Sequence, residues 1–164
     1  MGQEIAAVIR KKDIPRDKEG YKQEIATINV ICGRGDLQDI LISNLEWDDN
    51  QEFIINENNV QKFKNACSLL AAERDRTENE LKVLIEQIKQ KTLLGVSSAN
   101  KEIAKESLED VDYYCGEGLE MFWDAFYLIN HLTDMCYTSL ELYNSLVKNN
   151  NDKTDLEICL IWSY

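Results

Sequence analysis

The chain has 164 residues and a formal net charge of −12 at pH 7, with 44% hydrophobic and 9% aromatic residues. That length and apolar content suffice for one domain with its own core, without disulfides or a structural metal, and argue against global disorder. The charge disfavours direct attachment to nucleic acid or an anionic membrane, because like charges repel at long range, and favours a basic partner instead.

The acidity is uneven. Residues 1–25 carry six basic and five acidic side chains, whereas residues 100–164 carry four basic and thirteen acidic. The five cysteines (Cys32, Cys67, Cys115, Cys136 and Cys159) are widely spaced, odd in number and without a C-x-x-C pair. They read as free thiols in a reducing cytoplasm rather than as a disulfide scaffold. The opening Met1-Gly2-Gln3-Glu4 lacks a signal-peptide layout, Ala6 stands where a myristoylation motif needs Ser or Thr, and no apolar run approaches membrane-spanning length. The expectation is a soluble, cytoplasmic protein. Its frequent Asn, Lys and Ile fit an AT-rich bacterial or phage genome.

Gln3 to Lys11 reads as a first strand, ended by the charged loop around Pro15, the only proline, and by Gly20. Tyr21 to Cys32 fits two templates: Tyr21, Ile25, Ile28 and Cys32 have helical spacing, while the β-branched run Ile25 to Ile31 favours a strand paired with the first. The strand is the preferred reading. Gly33-Arg34-Gly35 forces a turn, Asp36 is a good N-cap, and Leu37 to Leu45 predicts a short helix. A loop at Asp48-Asp49-Asn50 and a short strand at Phe53 to Ile55 follow.

Asn56 is placed to cap a long helix whose Val60, Phe63, Cys67, Leu70, Leu81, Leu84 and Ile88 keep spacings of three and four. Arg74 and Thr77 fall on the same stripe, marking a bend, a solvated stretch, a register device or a buried ion pair. Gly95 is a natural stop and Ser98 the next cap. From Ala99 the pattern is helical to about Lys148, which unbroken would span roughly 75 Å, against about 40 Å for a compact domain of this size. A kink or break is therefore expected at Gly116-Glu117-Gly118. After the loop Asn149 to Asp152, Leu156 to Trp162 reads as a final strand returning to the N-terminal sheet.

The predicted class is α+β: a small antiparallel sheet built from the chain termini, packed beside two to four helices, two of them long and forming a helical hairpin. The chain reads as one domain over residues 1–164. It holds a mixed β/α part over 1–55, a helical hairpin or three-helix layer over 56–148, and a closing strand over 155–163.

The most informative stretch is Glu106 to Val147, with nine carboxylates, eight of the fourteen aromatics, and no Lys or Arg. Projected at 100° per residue, Glu120, Asp124, Tyr127, His131, Asp134, Thr138 and Glu141 fall on one stripe, with Glu117 preceding it and Trp123 at its margin. Phe122, Phe126, Ile129, Leu140 and Val147 lie roughly opposite. Solvated helix faces usually mix charges, because Glu–Lys pairs four residues apart stabilise them, and stacked like charges cost a few tenths of a kcal/mol per pair. The stripe is either the solvated edge of a buried helix or a docking face for a basic partner.

Metal binding is disfavoured: Glu120/Asp124 and His131/Asp134 lie roughly 10 Å apart by helical rise, and the Glu-x-x-His motif of di-metal bundles is missing. Gly33, Arg34 and Gly35 form the one Gly-rich turn between a strand and a helix, a weak anion-binding candidate whose spacing matches neither the P-loop nor the dinucleotide fingerprint. Cysteine–histidine catalysis would require a thiol near His131, the only histidine, and Cys136 faces another side of that helix. No cofactor and no catalytic set is expected.

The functional expectation is a non-enzymatic inhibitor, of an immunity or anti-defence type, docking a basic protein that itself binds nucleic acid or phosphate. The expected contacts are Glu117, Glu120, Trp123, Asp124, Tyr127, His131, Asp134 and Glu141. The alternatives are a self-associating helical protein, a homodimer pairing the apolar arc of the last helix, and a small-molecule or metal sensor or enzyme using Arg34, Arg74 and His131.

Overall fold

Strands from opposite ends of the chain meet at the centre of the sheet. In the computed structural model, which describes residues 3–33, 39–94, 117–149 and 155–163, β1 (Gln3–Lys11) pairs antiparallel with β4 (Leu156–Ser163) from Glu4↔Ser163 to Lys11↔Leu156. The side chains at 33, 84, 85, 88, 89, 91–94 and 117–125 are outside that description. β2 (Glu24–Gly33) lies on the other side of β1, and the short β3 (Glu52–Ile54) borders β4, giving the order β2-β1-β4-β3. The β-branched run from Ile25 to Ile31 thus forms a strand rather than a helix. A strand there lets Ile31 cross from Ile5 and enter the core.

Alternation gives the sheet two different faces. On one, Ile5, Ala7, Ile31, Phe53, Ile158 and Leu160 join the main core. On the other, Val8, Arg10, Glu157 and Cys159 follow each other across β1 and β4 and are also buried. Edge strand β2 is blunted against further pairing. Its register shifts twice against β1, between Ala7 and Val8 and between Ile9 and Arg10, and the Asn29 side chain accepts the Val30 N–H.

Among the described residues, three α-helices accompany the sheet. α1 (Asp39–Asn44) buries Leu41, and Leu45 just beyond it extends its contact with the core. The expected start of this helix, Asp36 and Leu37, lies outside the described residues. α2 (Val60–Leu94) starts from an asparagine-built turn: Asn56 Oδ1 accepts from the N–H groups of Asn58 and Asn59, and Asn59 Oδ1 accepts from that of Asn56. These bonds satisfy amides that the helix start leaves open. α3 (Glu117–Leu142) passes into a π-helical turn at Tyr143–Val147, so the regular helix ends six residues before the predicted Lys148. It contains Gly118; Gly95, Ser98, residues 99–115, Gly116 and the loop residues 150–152 lie outside the described residues.

The chain divides into two compact units, one formed by Met1–Ala72 with Leu128–Tyr164 and the other by Glu73–Tyr127. In the first, α2 contributes Phe63, Ala66, Cys67 and Leu70 to the core, and α3 contributes Ile129, Leu132, Met135 and Cys136. The Cys67 and Cys136 thiols influence each other's titration, and Glu57, just before α2, acts on Tyr143, just after α3. Within the first unit, moving forward on α2 therefore means moving back on α3, and the parts of the two helices that belong to it run antiparallel. In the second unit, α2 runs unbroken through Arg74 and Thr77. Arg74 pairs with exposed Asp75 at 3.4 Å, and buried Thr77 donates its hydroxyl to the Glu73 carbonyl at 2.8 Å. Through this stripe the helix is continuous, its threonine is satisfied by its own backbone, and Arg74 pairs with an exposed neighbour rather than in a buried ion pair. Among the described residues no helix is long and apolar enough to cross a membrane.

Candidate functional site

The exposed face of α3 follows from what its opposite face must bury. Ile129, Leu132, Met135, Cys136 and Tyr143 turn into the core of the first unit. Between them, Thr133 and Ser139 are fully buried, their hydroxyls donating to the carbonyls of Ile129 and Met135 at 2.6 and 2.7 Å. Helical geometry then leaves His131, Asp134, Thr138 and Glu141 outward, and all four are exposed. Tyr137, three residues after Asp134 and four before Glu141, is 40% exposed on the same side. The sequence reading had left it out of the stripe, although its spacing from the two carboxylates was the available signal.

Tyr127, which belongs to the second unit, is exposed by 53%. Of the other predicted contacts, Glu117, Glu120, Trp123 and Asp124 lie on α3, with side chains outside the described set. Gly33 ends β2, while Arg34 and Gly35 are outside the described residues. The apolar arc of α3, considered as a surface for a second copy, is occupied within the first unit by the chain's own core at Ile129, Leu132 and Met135.

Arg10, Arg16 and Lys22 from the N-terminal part are engaged elsewhere. Arg10, 1% exposed, donates through Nη1 and Nη2 to Glu52 Oε1 and Oε2 at 3.0 and 2.5 Å, and through Nε to Glu157 Oε1 at 2.7 Å. Arg16, in the β1–β2 loop, grips the same Glu52 oxygens at 2.9 and 2.8 Å and also donates to the Gly20 carbonyl. Lys22 reaches Glu157 at 3.5 Å and the Lys12 carbonyl at 3.0 Å. Gly20, at φ +88°, allows the turn that brings both cations back over the strands. Sequence pattern had placed Arg10 only within an apolar strand, Glu52 before one, and Glu157 within another. No local signal links three residues so distant in the chain.

This cluster is a clamp rather than a proton-transfer site. Burial alone would raise Glu52, but hydrogen bonds from Arg10 and then Arg16 outweigh it and bring its pKa to about 2. Cys159 lies beside the cluster, and burial, only partly offset by Arg10, pushes its thiol up to about 12. A carboxylate saturated by two guanidinium groups and a thiol held protonated are poorly suited to acid–base or nucleophilic work near neutral pH.

Among the described residues, Asp134 and Glu141 have no ion pair with any lysine or arginine. α2 gives the internal comparison. Its exposed side pairs Arg76 with Glu73 and Glu80, and Lys82 with Glu78 at 2.9 Å. Among the described residues, α2 pairs Glu73, Asp75, Glu78 and Glu80 with neighbouring cations, whereas Asp134 and Glu141 of α3 have no such pair. Fold and site together define an α+β protein in which the described outer face of one helix is acidic and aromatic. No family model matches the chain, and no curated protein or solved structure matches it.

Proposed function

We propose that this is a non-enzymatic, cytoplasmic binding protein that docks a basic protein surface on the outer face of α3 and inhibits that partner by occupying the place of a nucleic acid or phosphate. The observation that carries this reading is the contrast between the two long helices: paired charges on α2, unpaired Asp134 and Glu141 on α3. A helix serving only as a solvated edge gains from nearby cations, as α2 does. A face reserved for a cationic partner gains from leaving its anions open, because complementary charge speeds encounter and rejects wrong partners. Exposed Tyr137 between the carboxylates adds apolar contact area with a polar tip, the kind of side chain enriched where proteins meet. An immunity or anti-defence role is the setting that such charge imitation suits.

The test is capture from native lysate on the immobilised protein, read by mass spectrometry, beside a variant with Asp134→Lys and Glu141→Lys. Both positions are exposed, so the variant should keep its fold, as checked by circular dichroism. The wild type should retain one or a few basic, nucleic-acid- or phosphate-binding proteins that the variant loses. Equal retention by the two would remove the docking face from consideration.

A further inference from the structure

Tyr137 stands between two carboxylates on the outer face of α3. Asp134 is three residues before it and Glu141 four after, and side chains at those spacings are neighbours on a helix, about 5–6 Å apart at Cβ. All three are exposed, the tyrosine by 40% although its ring is large and mostly apolar. The core of the first unit is completed without it, by Ile129, Leu132, Met135 and Cys136 from the same helix. No Lys or Arg occurs from Glu106 to Val147, so this stretch has no cation of its own to lay over the ring. Among the described residues, neither Asp134 nor Glu141 is in an ion pair with a lysine or arginine.

We propose that Tyr137 makes this face selective for arginine over lysine in the partner. The selectivity rests on the docking reading of α3 and adds which cation fills the face. A guanidinium is planar: it lies flat on an aromatic ring, attracted by the negative ring face, while the N–H groups at its edge stay free to donate to carboxylates. Asp134 and Glu141 are those acceptors, one on each side of the ring. Because Cα–Cβ bonds lean toward the helix N-terminus, Glu141 is carried back toward Tyr137, and Tyr137 toward Asp134. A lysine ammonium is a compact, strongly hydrated charge with no plane to share between ring and carboxylate.

The roles then divide. The carboxylates attract any cation, and the ring chooses between them. The face fits a partner surface that presents arginine, the side chain favoured where phosphate is gripped by two parallel hydrogen bonds. This agrees with a partner whose own ligand is a nucleic acid or phosphate.

The experiment titrates the isotope-labelled protein with two peptides of equal length and charge, one carrying arginines and the other lysines at the same positions. The backbone amides of residues 134–141 are followed by NMR. The wild type should bind both peptides at these amides, the arginine peptide more tightly by roughly two- to fivefold, the size of an exposed cation–π contact. Tyr137→Phe, which keeps the ring, should keep the preference. Tyr137→Leu, which keeps apolar area without the ring, should bind both peptides alike. Asp134→Asn combined with Glu141→Gln should weaken both together. Equal affinities in the wild type, or a preference that survives Tyr137→Leu, would overturn the arginine selectivity and leave the docking face standing. If neither peptide moves these amides, the docking face fails and the selectivity with it.

Discussion

At the scale of single residues, the stability of the sheet rests on Arg10 more than its place in an apolar strand suggests. A buried guanidinium is tolerated because Glu52 and Glu157 both meet it, and removing one partner of such a group costs about 3–5 kcal/mol. Glu52→Gln is expected to lose stability in that range at pH 7, measured by urea unfolding. Its pH dependence has a definite sign. The folded pKa of Glu52, about 2, is below its ordinary 4.5, so its stabilisation is present above 4.5 and is lost as pH falls toward 2. The gap between wild type and variant should therefore shrink across that window. A gap that stays constant from pH 5 to pH 2 would show that the carboxylate charge is not what stabilises the clamp.

At the scale of elements, α3 separates two demands along one helix. Leu132 is fully buried in the core, while Thr138, six residues on, faces outward. Leu132→Ala should cost about 2–5 kcal/mol in urea unfolding, whereas Thr138→Ala should stay within about 0.5 kcal/mol. Much of this was legible beforehand, because a helical period assigns faces without knowledge of the neighbours. The stripe His131, Asp134, Thr138 and Glu141 came from spacing alone and is exposed. β2 was less legible, since β-branched composition and helical spacing competed over the same residues; pairing with β1 decided it. On α2, Arg74 and Thr77 left a bend, a solvated stretch, a register device and a buried ion pair open, and the helix runs continuously through both. The threonine is buried there without a tertiary partner for its hydroxyl because it bonds its own helix carbonyl.

At the scale of the whole molecule, the net charge of −12 is divided between anions that the fold neutralises and anions that it leaves open. Part of the C-terminal acidity is paired with N-terminal cations: Glu157 with Arg10 and Lys22, and Asp155 with Lys11 at 3.7 Å. The described α3 carboxylates remain without ion pairs among the described residues. Binding carried by open surface charges weakens as salt shortens the screening length to about 3 Å at 1 M. Proteins captured through this face should elute between about 0.15 and 1 M salt, within the range over which that length falls from about 8 Å. Retention through 1 M salt would point to an apolar contact instead.

The sequence by itself determined the strands at the two ends of the chain, the long helices, and which side of the described part of α3 meets water. All of these follow from local periodicity and residue shape, which act between near neighbours. Only the tertiary structure decided that Arg10, Glu52 and Glu157 form one buried cluster. Those contacts join residues far apart in the chain, where no repeating pattern carries information and only the closing of the fold brings charge to charge.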